Sequence, residues 1–326
     1  MTWLITGGAG YIGAHVVRAM RAAGERVVVV DDLTSGVTER LPADVPLVRG
    51  SVLDRELVAR ALAEHAVTGV VHLAARKQVA ESVAQPIRYY EENVHGLAVL
   101  LDAAVAADVR AFVFSSSAAV YGMPDVDLVT EATPCQPMNP YGETKLAGEW
   151  LVRAAGATHG LATACLRYFN VAGAADPELA DTGVSNIIPM FFDRIASGRA
   201  PLVFGDDYPT PDGTCVRDYV HVADLADAHL AAARWLTGLT APRDLTVNIG
   251  TGRGVSVREM AELVAEVTDH PGPIAEVAPR RPGDPARVVA SAERIATELG
   301  WSARYDVREM VESAWLGWRH HQSTLR

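Results

Sequence analysis

Three consecutive serines, Ser115-Ser116-Ser117, close the apolar stretch Ala111-Phe112-Val113-Phe114, and Tyr141-Gly142-Glu143-Thr144-Lys145 follows downstream. A tyrosine and a lysine four residues apart share one face of a helix, one turn from each other. An ammonium held there favours the charged form of a nearby phenol, which then acts as a base near neutral pH. Free tyrosine titrates near pH ~10, so the shift required is large. The apolar stretch reads as a buried strand. It brings Ser117 to the carboxyl edge of a sheet, where open α/β folds bind ligands. Around a sugar or an alcohol, Ser117, Tyr141 and Lys145 form a proton-handling set that needs a hydride acceptor to complete it.

The amino terminus offers a place for one. Trp3-Leu4-Ile5-Thr6 reads as a strand running into Gly7-Gly8-Ala9-Gly10-Tyr11-Ile12-Gly13, and Val16, Val17 and Met20 follow at helical spacing. Gly7, Gly10 and Gly13 form G-x-x-G-x-x-G, which allows a tight turn and lets backbone N–H groups approach a pyrophosphate at the positive end of a helix. Next comes Arg26-Val27-Val28-Val29-Val30-Asp31-Asp32, a β-branched strand ending in acid. Asp31 stands at about the ~20-residue distance at which a carboxylate meets the adenosine ribose hydroxyls. It would repel a 2′-phosphate and no arginine immediately follows it, so NAD is favoured over NADP.

Strands are expected at 2–6, 26–31, 45–49, 69–74, 110–116 and 162–168, with helices at 53–66, 88–107 and 141–158. This alternation implies an α/β fold with a doubly wound, Rossmann-type parallel sheet over 1–169. Segments rich in Gly, Pro and Asp (173–185 and 205–215) interrupt the later elements. A smaller mixed α/β substrate domain is therefore expected over 170–326, its chain partly returning to the first domain.

The 326 residues carry a net charge of −11, with dispersed basic residues. That argues against nucleic acid and against an anionic membrane surface as partners. Cys135, Cys165 and Cys215 are widely spaced without a C-x-x-C, which fits a reducing cytoplasm and neither a disulfide scaffold nor a zinc site. A first strand starting at Thr2 leaves no room for a secretion signal, and apolar runs stop short of membrane-spanning length. The ten histidines form no metal-binding pattern, so no metal is expected.

These residues resemble the extended short-chain dehydrogenase/reductase superfamily and, within it, the UDP-glucose (UDP-galactose) 4-epimerases. Thr6 through Gly13 look like that family's cofactor turn. Phe114 through Ser117, Val120-Tyr121-Gly122 and Pro140 through Lys145 look like its catalytic elements. Leu166-Arg167-Tyr168-Phe169-Asn170, Phe204-Gly205-Asp206-Asp207-Tyr208-Pro209-Thr210 and Val216-Arg217-Asp218-Tyr219-Val220-His221-Val222 resemble its sugar-nucleotide elements. The combination of Asp-Tyr-Pro-Thr with Val-Arg-Asp-Tyr is far more specific than Tyr-x-x-x-Lys alone. By position, the resemblance implies NAD contacts at Gly7, Gly10, Tyr11, Ile12, Gly13, Asp31, Asp32, Leu33, Ser51 and Val52. It further implies cofactor contacts at Leu73, Ala74, Ala75, Lys77, Asn93, Tyr141, Lys145 and Phe169. The UDP-sugar is expected to meet Ser117, Tyr141, Asn170, Asn186, Phe204, Arg217, Arg281, Asp284 and Val288. Arg217 and Arg281 offer forks for a diphosphate, and Phe204 a face for uracil. A homodimer pairing helices 88–107 and 141–158 with their copies is implied in the same way.

Three positions depart from the pattern. Ser51 follows Gly50 where many relatives have an Asp that reads adenine, Ala119 replaces a common Thr, and Val171 a common Pro. Val288 stands where some relatives carry a Tyr that crowds the sugar near C2, which implies room for an N-acetyl group.

The implied reaction inverts C4 of the hexose. Tyr141 removes the hydroxyl proton as hydride leaves for NAD, the 4-keto sugar turns while its UDP stays anchored, and hydride returns to the other face. Lys145 is expected to stabilise the phenolate and Ser117 to relay the proton. Ser115 and Ser116 are expected only to satisfy backbone groups, and His221 with Asp224 to form a structural pair. A 4,6-dehydratase needs an Asp-Glu pair after the serine strand, where this chain has Ala118-Ala119. Epimerases of uronic acids or pentoses remain rivals, as does a non-catalytic NAD sensor, although a sensor has no need of Tyr141 and Lys145.

Overall fold

A computed structural model describes residues 1–281 and 283–324. β1 (Thr2–Thr6), β2 (Arg26–Asp31), β3 (Leu47–Arg49), β4 (Gly69–His72), β5 (Ala111–Ser117) and β6 (Ala162–Tyr168) make up the first half's strands. Between them run α1 (Tyr11–Ala22), α2 (Arg55–Glu64), α3 (Val79–Ala84), α4 (Pro86–Tyr90), α5 (Gly96–Ala106) and α6 (Pro140–His159). The second half adds β7 (Asn170–Ala172), β8 (Leu202–Phe204), β9 (Val216–His221), β10 (Asp244–Ile249), β11 (Gly254–Ser256), β12 (Glu276–Ala278) and β13 (Arg287–Val288). Its helices are α7 (Ile187–Ala196), α8 (Val222–Thr237), α9 (Val257–Val267), α10 (Glu293–Leu299) and α11 (Val307–Thr324).

The main sheet runs β3-β2-β1-β4-β5-β6-β10 with every neighbour pair parallel. Alternation along β2 sends Val27 and Val29 to one face and Val28 and Val30 to the other. The first pair packs with Val16 and Met20 of α1, Leu225 of α8 and Ile295 of α10. The second packs with Leu62 of α2, Leu100 of α5 and Val152 of α6. Both faces are thus covered, which is why the strand reads as an unbroken apolar run. Strand order reverses between β1 and β4, opening the crevice where such sheets bind ligands.

The second unit sets β11, β9, β13 and β7 together, with Phe191, Phe192, Met260, Met310 and Trp318 packed against them. A smaller apolar cluster of Val120, Tyr121, Leu146, Phe169 and Val288 joins the two halves beneath the site.

Several boundaries differ from the sequence expectation. The strand expected over 69–74 ends at His72; Leu73 still donates to the Thr6 carbonyl, and Ala74 turns to the Thr6 hydroxyl. The helix expected over 88–107 is broken into α4, a π turn at Glu91–His95 and α5. β10, which no periodicity singled out, closes the far edge of the main sheet against β6.

Candidate active site

At the switch point the glycine turn is shaped by close approach. A Cβ on Gly13 would lie 2.1 Å from the Gly7 carbonyl oxygen, and one on Gly7 (φ +71) would lie 2.7 Å from the Ala74 nitrogen. Helix α1 begins at Gly10 with no side-chain cap and no acid in its first turn. Its amino-terminal N–H groups and positive dipole end therefore suit a pyrophosphate. The Asp31 carboxylate, buried at the end of β2, accepts the N–H groups of Ala9 and Leu33 at 2.9 Å each. One side chain thereby ties the glycine turn to the ribose end of the crevice. Burial pushes its carboxyl above the usual range, and the two N–H bonds oppose that. Leu33 sits at φ +60, and Asp32 accepts the Thr34 N–H at 2.8 Å. These features fit a dinucleotide.

Other residues expected at the cofactor act more indirectly. The Tyr11 hydroxyl donates to the Gly173 carbonyl at 2.6 Å, leaving its backbone at the start of α1 to face the turn. Ile12 lies half-buried on the same first turn. Asn93, in the π turn, accepts from the Arg76 N–H at 2.8 Å and donates to the Arg76 carbonyl at 3.0 Å and to Thr144 at 3.1 Å. It clamps the loop of Leu73, Ala74, Ala75 and Lys77 against α6. The Ser51 hydroxyl accepts the Leu53 N–H at 3.2 Å, so it serves its own turn, with Val52 buried beside it.

Helix α6 starts where Asn139 caps the Gly142 N–H at 3.0 Å and Pro140 occupies the first turn. Tyr141 is thereby fixed at the helix entrance, and Lys145 follows one turn later. Glycines let the helix approach β5: a Cβ on Gly148 would lie 2.5 Å from the Phe114 ring, and one on Gly142 2.6 Å from the Ala119 carbonyl oxygen. Lys145 donates to the Ser115 carbonyl at 2.9 Å and stands 5.9 Å from the centre of the Tyr141 ring.

Burial works against the low proton affinity expected of Tyr141. It pushes the Tyr141 phenol up, and the nearby Ser117 hydroxyl opposes that. The Ser117 oxygen accepts the Ala119 N–H at 3.2 Å, which leaves its proton available to a partner in the site. The lysine acts from a distance, itself pushed down to about 8 by burial.

Ser115 and Ser116 depart from expectation too. Ser115 bonds His229 of α8 at 2.9 Å and Ser116 donates to Glu149 of α6 at 2.6 Å, on opposite faces of the sheet. His221 and Asp224 do not bond each other. The histidine accepts from Ala223 and meets Ser313, while the aspartate holds Arg304 and Tyr305.

In the second unit, Asp284 receives Arg217 at 3.3 Å and Arg281 at 2.9 Å, and the Arg281 guanidinium lies 4.7 Å over the Phe204 ring. Val288 is paired in register with Arg217 and packs in the same cluster as Phe169. Asn170, exposed on β7, neighbours Tyr219 of β9. Asn186 lies just before α7, its amide donating to Asp181 at 2.6 Å.

Residues 3–250 fit the family model described as NAD dependent epimerase/dehydratase family. The chain belongs to that family. It is 45% identical over 320 residues to a UDP-glucose 4-epimerase of Azospirillum brasilense, covering 97% of this chain and 91% of that protein. A UDP-glucose-4-epimerase from Stenotrophomonas maltophila, solved with NAD and formylated UDP-arabinopyranose, superposes with a TM-score of 0.93 at 39% identity, covering 100% of both chains. The UDP-Glc/GlcNAc 4-epimerase of Campylobacter jejuni gives a TM-score of 0.86 at 33% identity, covering 98% of this chain and 99% of that one.

Sequence reasoning missed the supports of this family site. Glu149 lies four residues beyond Lys145 and eight beyond Tyr141, a spacing that alone would have put it on their face. Arg167 interrupts an otherwise apolar strand, the usual sign of a buried partner. Nothing in the sequence pointed to His229.

Proposed function

We propose that this protein inverts C4 of UDP-hexoses, interconverting UDP-glucose and UDP-galactose with bound NAD. The observation that carries the reading is the buried Ser117–Tyr141 pair at the mouth of a dinucleotide crevice, in a chain of this epimerase/dehydratase family. Bound NAD would supply the hydride acceptor and donor at C4. Gly7, Gly10, Tyr11, Ile12 and Gly13 hold its pyrophosphate through α1, Asp31 its ribose, and Leu73 through Lys77 with Phe169 its far end.

Tyr141 takes the C4 hydroxyl proton and later gives it back. Ser117 holds the sugar oxygen and the phenol in one hydrogen-bonded line, and Lys145 supplies positive charge nearby. Arg217 and Arg281, paired through Asp284, grip the diphosphate while Phe204 covers the uracil, so the sugar can turn on a fixed anchor. A dehydratase is disfavoured because Ala118 and Ala119 offer no carboxylate beside Ser117. A valine at 288, much smaller than a tyrosine, extends the substrate range to UDP-GlcNAc in this reading.

The working unit in this reading is a homodimer. Ile87 on α4 and Trp150 on α6 are 83% and 60% exposed, apolar side chains of the size that an interface between copies covers. No described helix is long and apolar enough to cross a membrane. The cysteines are free, consistent with work in the cytoplasm.

A panel of UDP-hexoses, UDP-N-acetylhexosamines and UDP-pentoses tests the reading. C4 inversion of UDP-glucose is expected, and its absence alongside a dehydrated product would overturn it.

A further inference from the structure

The serine beside the proton-handling set is tied to a buried ion pair that the reaction itself does not use. Ser116 donates to Glu149 at 2.6 Å, and Arg167 clasps the same carboxylate through two nitrogens at 2.7 and 2.6 Å. The remaining face of the guanidinium donates to Tyr121 at 2.9 Å, and Tyr121 donates in turn to Asn248 of β10 at 2.6 Å. Glu149 and Ser116 are fully buried and Arg167 nearly so. One carboxylate therefore joins α6, β5 and β6, with β10 beyond.

Its position gives this network a specific role. Tyr141, Lys145 and Glu149 recur every four residues along one face of α6. Lys145 reaches the Ser115 carbonyl and Glu149 receives Ser116, so two successive residues of β5 grip two successive turns of the helix. Two ties fix both the rotation and the height of α6 against the strand. The next strand residue is Ser117, buried like Tyr141 and acting on its phenol. A buried ion pair is weak evidence for stability, since apolar replacements of similar volume often serve as well. Geometry is what a fully satisfied pair of this kind can specify, and proton transfer is sensitive to misplacement on the scale of an ångström.

We propose that Glu149, acting through Ser116 and Arg167, is a positioning residue that sets the Ser117–Tyr141 contact for proton transfer. The inference rests on the C4-inversion reading above. Without the tie, Ser117 and Tyr141 lose their fixed spacing, so the hydroxyl favours the phenolate less and the acidic limb of activity moves to higher pH.

Ser116→Ala is the cleanest test, because it cuts the strand from the helix and leaves Glu149 and Arg167 paired. Glu149→Gln disturbs the pair as well and serves as the second variant. Each is purified with its nucleotide and compared with the wild type for kcat and KM on UDP-galactose, the pH dependence of kcat, and thermal stability.

For Ser116→Ala the expected result is a kcat lowered about tenfold or more, with KM within about twofold. Its acidic limb should shift upward, and Glu149→Gln should fall further in the same direction. A Ser116→Ala protein with unchanged kcat and limb overturns the proposal, whatever its melting temperature. One that fails to fold also overturns it, because the hydroxyl would then be an element of folding. A wild type inactive on every UDP-sugar sinks the C4-inversion reading instead, and this inference with it.

Discussion

Replacing Lys145 by methionine should make the protein more stable and less active at once. The side chain is buried, and its one hydrogen-bond acceptor among the described residues is the Ser115 carbonyl at 2.9 Å. Burial pushes its pKa from 10.5 down to about 8. Below pH 8 the folded protein therefore carries an ammonium that it holds less favourably than the unfolded chain does. The difference of about 2.5 units corresponds to about 3 kcal/mol. Between pH 8 and 10.5 the unfolded state binds the extra proton, so wild-type stability rises with pH through that window. Methionine keeps most of the volume and removes this dependence. Leaving the Ser115 carbonyl without its donor costs about 1 kcal/mol. The net expectation is a gain of about 2 kcal/mol at pH 7, shrinking above pH 8.

Activity should move the other way. At 5.9 Å and an effective dielectric of about 20, the lost cation favours a neighbouring phenolate by up to about 3 kcal/mol, about a hundredfold in kcat. Urea unfolding at pH 7 and pH 9.5, with matched nucleotide content, measures the first effect, and C4 inversion of UDP-galactose the second. A variant no more stable than wild type at pH 7, with the same stability difference at pH 9.5, would refute the burial argument.

Three further outcomes are expected. Tyr141→Phe should lower kcat by about 10²–10⁴-fold with UDP-sugar binding nearly intact, and retention of more than about a third of wild-type turnover would exclude it as the base. Asp31→Ala should weaken NAD and narrow its preference over NADP, since the ribose partner and the repulsion of a 2′-phosphate are lost together; it also frees the Ala9 and Leu33 N–H groups. An unchanged affinity ratio in direct binding measurements would shift cofactor choice to other residues. Wild-type protein should invert UDP-GlcNAc as well as UDP-glucose, and Val288→Tyr should lose the acetamido sugar while keeping the hexose. Good activity on UDP-glucose with none on UDP-GlcNAc would defeat the size argument.

The sequence by itself determined the parts whose signal is local. Glycines at 7, 10 and 13 followed by β-branched strands and Asp31 specified the crevice, because turn geometry and two-sided burial leave a direct mark on composition. The Tyr141–Lys145 spacing was legible for the same reason, since a helix repeats within four residues. Tertiary structure decided what depends on distant partners. Only the fold brings Arg217 and Phe204 onto the local Arg281–Asp284 pair. Only the fold adds β10 to the sheet and turns Ser115 and Ser116 toward His229 and Glu149 instead of toward the backbone. It also decided the state of Tyr141. A sequence shows that a lysine is near, whereas the burial that raises the phenol's proton affinity and the Ser117 hydroxyl that opposes it meet only once the chain has closed around them.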